Sequence, residues 1–255
     1  MKNSITTLVI ALSFISLATA QNAQQIVADM VQALGGKEAF YNLGNVTYDY
    51  EYRDPNTLMT LIGKETYVFD GELSSGQYTE HSLLGANGKV VEGYDGKEAW
   101  VKFNGQLSTD EKANGVARFL RKTNYYWFAM FFKLQDEGLN LQHVGTKKVE
   151  GREYDLIKVT FESTIGDAQD TYLLYINKQT KLIDQFLFTV VSFGVTAPNL
   201  MKVHYETING IKVPTERVYI GSNWDGEIIG EKWVTTYWKN VQFNTSIDPA
   251  IFTKK

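Results

Sequence analysis

Val46-Thr47-Tyr48-Asp49-Tyr50-Glu51-Tyr52-Arg53 alternates an apolar or aromatic side chain with a polar one at every step. A period of two puts Val46, Tyr48, Tyr50 and Tyr52 on one face of a strand and Thr47, Asp49, Glu51 and Arg53 on the other, the mark of a half-buried β-strand. Asp54-Pro55-Asn56 ends the run with turn chemistry. Strand-like runs follow at 57–69 and 74–84. X-Gly pairs then punctuate the chain: Asn87-Gly88, Asp95-Gly96, Asn104-Gly105, Glu150-Gly151, Asn209-Gly210 and Asp225-Gly226. Asn-Gly and Asp-Gly between strand-like runs signal hairpins, because both turn residues take positive φ. Asn177-Lys178-Gln179-Thr180 separates two further strand runs as a longer hairpin loop. Connections this short make neighbouring strands antiparallel. The pattern predicts a mainly β chain of roughly a dozen strands, nearly all joined by short connections.

Two segments depart from it. Residues 24–34 carry Ile26, Met30, Ala33 and Leu34 at helical spacing, with Gly35-Gly36 as a stop; residues 37–43 suggest a second short helix. Residues 108–137 show neither alternation nor a hairpin signal. Ser108, Thr109 or Asp110 caps a predicted helix running to about Lys122. Asn124 caps a second element that holds Tyr125, Tyr126, Trp127, Phe128, Met130, Phe131 and Phe132. One helix face cannot bury that cluster all round unless it is covered on several sides. A helix laid across the mouth of a curved sheet is covered in that way. Several strands are apolar on both faces: the run 231–243 has Trp233 and Tyr237 on one side and Val234 and Trp238 on the other, and 182–191 has Phe186 and Phe188 opposite Leu187. Such strands have material on both sides.

Composition narrows the chemistry. The 255 residues hold no cysteine, which excludes a disulfide framework, thiolate metal sites, a cysteine nucleophile and a lipidated cysteine. A net charge of −4 argues against a nucleic-acid footprint. Lys2, the apolar stretch 5–18 and the small-x-small end Ala18-Thr19-Ala20 predict a cleavable signal peptide over 1–20. Its apolar stretch is short of the roughly 20 residues that span a bilayer. The expected product is a single soluble exported domain, 21–255, with no lipid anchor and no transmembrane segment.

Metal and catalytic motifs are absent from the sequence. His81, His143 and His204 stand apart, and no metal-binding, P-loop, dinucleotide or nucleophile-elbow spacing occurs. Acid pairs such as Asp49/Glu51, Asp95/Glu98, Asp167/Asp170 and Asp225/Glu227 mostly flank turns, where solvated carboxylates belong. No catalytic residue, metal or cofactor is expected, and the reading is a non-enzyme. The aromatic share of 13% is the main functional signal. A 16-carbon chain burying about 400 Å² gains up to about 10 kcal/mol before ordering costs. Tyr125, Tyr126, Trp127, Phe128, Phe131 and Phe132 are the candidate lid residues, and Trp100, Phe186, Phe188, Trp233 and Tyr237 the candidate walls.

Leu34-Gly35-Gly36-Lys37-Glu38-Ala39, the run Tyr94 to Trp100, Val149-Glu150-Gly151-Arg152-Glu153-Tyr154 and Tyr205 to Pro214 are turn-plus-strand motifs. In their order and spacing, the chain resembles the lipoprotein-carrier (LolA/LolB-like) superfamily of Gram-negative periplasms, and a secreted family labelled outer-membrane lipoprotein-sorting-like. The resemblance implies a half-open antiparallel β-barrel of about eleven strands with an N-terminal helix and a helical lid at 108–137. It also implies a periplasmic binder or carrier of an apolar molecule, a lipid or a lipoprotein acyl chain; a monomer is expected. An envelope sensor or protein-interaction domain on the same fold is the alternative reading, and a carboxylate-dependent hydrolase a third.

Overall fold

The computed structural model describes residues 22–85, 88–163 and 169–254. The expected signal peptide, the hairpin residue Asn87 and the Asp167 turn lie outside the described residues. The chain opens with helix α1 over 22–33, followed by α2 (Lys37–Asn42). Strands β1 (Asn45–Asp54), β2 (Met59–Val68), β3 (Leu73–His81), β4 (Val90–Tyr94), β5 (Ala99–Phe103) and β6 (Gln106–Leu107) come next. Helix α3 (Glu111–Lys133) separates them from β7 (Leu139–Val149), β8 (Arg152–Phe161), β9 (Tyr172–Asn177), β10 (Ile183–Val190), β11 (Val195–Ile208), β12 (Ile211–Gly221) and β13 (Val234–Phe243). The thirteen strands hydrogen-bond in the order β6-β5-β4-β3-β2-β1-β13-β12-β11-β10-β9-β8-β7, which leaves β6 and β7 as edges. This is the expected mainly β class: an open antiparallel sheet with an N-terminal helix and a helical insert.

The turns form as their residues dictate. Asn104-Gly105, Glu150-Gly151 and Asn209-Gly210 each hold two successive positive φ angles, the twist that closes a two-residue hairpin. Asp95-Gly96 closes differently. The Asp95 carboxylate accepts from the backbone N–H groups of Lys97 and Glu98, and these bonds hold its pKa below the usual carboxylate range.

The insert differs from expectation in one respect. It is one continuous helix of 23 residues rather than two elements meeting at Asn124. Asn124 caps nothing: its side chain is buried and donates to Glu65 across the helix–sheet contact. A good tertiary acceptor outweighs its preference for a cap.

The chain divides into two compact units. One contains α1, β7 to β10 and part of β11. Its α1 buries Ala23, Val27, Met30 and Val31 at helical spacing, and Leu34 just after the helix is buried with them. One of its core clusters is Tyr154, Tyr175, Leu187 and Leu200. The other comprises 35–132, 203–220 and 230–255, and so holds β1 to β6, nearly all of β12, β13, α2 and all but the last residue of α3.

Candidate functional site

In the second unit, register fixes which side chains share a face. Tyr50 lies opposite Gly63 on β2 and Trp238 on β13; Tyr48 lies opposite Glu65; Glu65 lies opposite Gly76 and Gly76 opposite Glu92. Alternation then places Tyr48, Tyr50, Tyr52, Glu65, Tyr67, Tyr78, Glu92, Arg217 and Trp238 on one side of the sheet. Helix α3 covers that side. Its buried stripe runs Ala113, Ala117, Leu120, Arg121, Asn124, Tyr125, Phe128 and on to Phe132.

Contact between helix and sheet is aromatic at one end and ionic at the other. Phe128 sits at the aromatic centre: its ring lies 5.4 Å from Tyr48, 5.0 Å from Trp238 and 5.7 Å from Tyr67, with Phe40, Phe69 and Phe243 further out. Phe132 stacks on Phe40 at 4.1 Å, and Tyr125 meets Tyr67 edge-on at 5.6 Å. Four of the six candidate lid residues, Tyr125, Phe128, Phe131 and Phe132, are therefore buried, while Tyr126 and Trp127 are half-buried.

At the ionic end Arg121 is completely buried between two carboxylates. Its Nη1 and Nη2 donate to Glu65 and its Nε donates to Glu92 at 2.9 Å. Glu65 also accepts from Tyr67, Tyr78 and Asn124, and Arg121 donates to the Tyr78 hydroxyl as well. The Leu84 N–H lies at hydrogen-bond distance from Nδ1 of His81, and Nε2 of that ring lies 2.9 Å from Glu92. Burial pushes the phenols of Tyr48, Tyr67 and Tyr78 well above their ordinary pKa, so all three stay neutral donors.

This network escaped the sequence reading, although it left a signal. Glu65 shares the parity of Leu61 and Tyr67, and Glu92 that of Val90: charges on otherwise apolar strand faces. Arg121 lies four residues from Ala117 and seven from Phe128, on the apolar stripe of the helix.

The candidate walls are distributed. Trp100 faces Gly93 in register and donates its indole N–H to the carbonyl of Phe252 at 2.9 Å, so the C-terminal residues cover it on the other side of the sheet. A Cβ at Gly93 would come within 2.3 Å of that indole, which is why glycine stands there. Tyr237 pairs with Glu51 and Glu216 on the side away from α3, its ring 5.3 Å from the Lys239 ammonium. Trp233 precedes β13 and is half-buried. Phe186 and Phe188 belong to the first unit, buried side by side on β10 with rings 5.7 Å apart. Trp238, rather than Tyr237, is the β13 aromatic that meets α3.

A groove of about 770 Å³ runs along the face away from α3, lined by Asp49, Glu51, Lys64, Lys89 and Lys239 among others. Its charges largely pair with one another: Lys64 with Asp49 at 2.9 Å and Lys239 with Glu51 at 2.7 Å. Among the described residues no group of three or more His, Asp or Glu is arranged to hold a metal ion. No helix among them is long and apolar enough to cross a membrane.

Comparison with known proteins shows what this architecture is similar to. Residues 78–198 match a family of unknown function, DUF6503. No curated protein matches the chain. Among solved structures, a DUF1329 family protein from Desulfovibrio piger is 13% identical with a TM-score of 0.55, over 92% of this chain and 98% of that one. A LolA-superfamily protein from Nitrosomonas europaea is 16% identical with a TM-score of 0.51, over 91% and 97%. A candidate outer membrane lipoprotein-sorting protein domain from Vibrio parahaemolyticus is 9% identical with a TM-score of 0.52, over 92% and 97%. This chain shares the fold of these three structures, one of which is a LolA-superfamily protein.

Proposed function

We propose that the protein is a non-enzymatic binding or carrier protein of the cell envelope, and that its ligand is an apolar molecule: a lipid or a lipoprotein acyl chain. The observation that carries this reading is the α3 contact. A helix with six aromatics in eight residues lies on a sheet face lined by Tyr48, Tyr67 and Trp238. Ring-on-ring contact is weakly directional, so the methylenes of an acyl chain fill the same space with similar loss of water-exposed area. The ligand chain then takes the place of part of the α3 contact, with Phe128 and Phe131 on the exchanging side. The fold shared with a candidate lipoprotein-sorting domain agrees with this role. Residues 1–20 act as the export signal in this reading, which places the mature chain, starting at Gln21, in the periplasm.

Native mass spectrometry on protein purified from a Gram-negative periplasm tests the proposal. The expected result is a copurified lipid at one per chain, or uptake of one added fluorescent fatty acid. A ligand-free chain that takes up no fatty acid overturns it. N-terminal sequencing of the same sample should begin at Gln21.

A further inference from the structure

Two arginines lie buried in the second unit, and their surroundings are opposites. Arg121 is neutralised by Glu65 and Glu92. Arg217, on β12, is equally hidden, at 2% exposure, yet no group accepts a hydrogen bond from its Nε or Nη2. Its Nη1 reaches only the thioether of Met130, at 3.9 Å. The guanidinium lies 4.3 Å from the Trp238 ring, 5.5 Å from Phe131 and 5.6 Å from Trp127. The groups that act most on its charge are the phenols of Tyr205, Tyr48 and Tyr50, not carboxylates, and burial pulls its pKa down to about 10, which leaves it charged at neutral pH.

Aromatic faces offset part of the cost of burying this cation but satisfy none of its N–H donors. The two unsatisfied donors are Nε and Nη2, the pair whose N–H bonds run parallel along one edge of the guanidinium. That edge is the fork that grips a carboxylate or phosphate with two hydrogen bonds. The guanidinium sits beside α3 residues Trp127, Met130 and Phe131, the segment whose contacts an acyl chain replaces in the reading above. We propose that Arg217 is the head-group anchor of the ligand site. The ligand is then an amphiphile with an oxyanion head, carboxylate or phosphate, on an apolar tail, and its head takes Nε and Nη2 while the tail follows the aromatic face. This inference rests on the apolar-carrier reading and narrows it.

The test compares three 16-carbon probes on the full mature chain: palmitate, hexadecyl phosphate and the neutral hexadecanol. Binding is followed by titration calorimetry and by fluorescence of Trp127 and Trp238, which flank the guanidinium. Palmitate or hexadecyl phosphate should bind roughly tenfold to a hundredfold more tightly than hexadecanol, as two charge-assisted hydrogen bonds allow. Whichever of the two binds better identifies the head group. Arg217→Met should abolish that preference and leave hexadecanol affinity within about twofold. Arg217→Lys, which keeps charge without the fork, should retain part of it. The melting temperature of ligand-free Arg217→Met should be unchanged or higher, because an uncompensated buried charge has been removed; an arginine with a purely structural role predicts a fall. Equal binding of all three probes, or a preference that survives Arg217→Met, overturns the anchor while leaving the apolar site intact. Failure of all three to bind overturns both readings.

Discussion

Glu65 accepts five hydrogen bonds at the ionic end of the helix–sheet contact, from Arg121 twice and from Tyr67, Tyr78 and Asn124. A carboxylate taken this far from water persists only when its lone pairs are met and its charge is opposed. Arg121→Met should therefore destabilise the chain by about 3–5 kcal/mol, because it strands Glu65 and Glu92 together. Urea unfolding measures it, and a loss under about 1 kcal/mol would show that the network does not hold α3 on the sheet. Gly93→Ala places a methyl 2.3 Å from the Trp100 indole. Overpacking of that kind costs about 1–3 kcal/mol, and a red-shifted tryptophan emission should report the displaced ring. At this scale the sequence was only partly legible. Charge on an apolar parity flags Glu65, Glu92 and Arg217, but single-strand reading cannot say which charges meet. Glu65 and Arg121 are 56 residues apart, and Glu92 joins them through a third strand. The unlike fates of Arg121 and Arg217 depend on strand register, which alternation alone leaves open.

Among the elements, β1 was the most legible, because its alternation runs unbroken through eight residues and its tyrosines all fall on the α3 side. Helix α3 was legible as a helix but not as a continuous one. Trp127→Ala combined with Phe131→Ala removes α3 rings beside Arg217 and should weaken fatty-acid uptake by tenfold or more while far-UV circular dichroism still reports the sheet. Unchanged uptake would remove α3 from the site. On the opposite face of β1, hydrogen bonds from Asn240 and Lys64 hold Asp49 below the usual carboxylate range, and those from Lys239 and Arg53 do the same for Glu51. A lowered folded pKa gives stability that is present above the ordinary carboxylate pKa and is lost as pH falls through the lowered value. These groups are half-buried and still reached by solvent, which screens the pairs, so the effect is small. Asp49→Asn with Glu51→Gln should flatten the stability profile below about pH 4, read as melting temperature against pH. A profile identical to that of the parent would show that these pairs contribute nothing.

At the scale of the whole chain, the antiparallel sheet followed from hairpin chemistry and short connections, and the mainly β class with a helical insert from the break at 108–137. Among the described residues thirteen strands form, where hairpin counting gives roughly a dozen and the resemblance about eleven; short strands such as β6, with two residues, are below what periodicity can resolve. The wall residues were the least legible, since apolar strands with both faces covered give no inward side. Trp100 and Tyr237 turn away from α3, and Trp238 faces it. What unites these scales is the claim that α3 is an exchangeable cover over an aromatic binding face. Hydrogen exchange of the intact mature chain with and without one equivalent of palmitate tests that claim most directly. One bound palmitate is expected, with a changed exchange rate concentrated in residues 111–133 and in β1, β12 and β13. Palmitate binding that leaves α3 exchange untouched, or no binding at all, would contradict it.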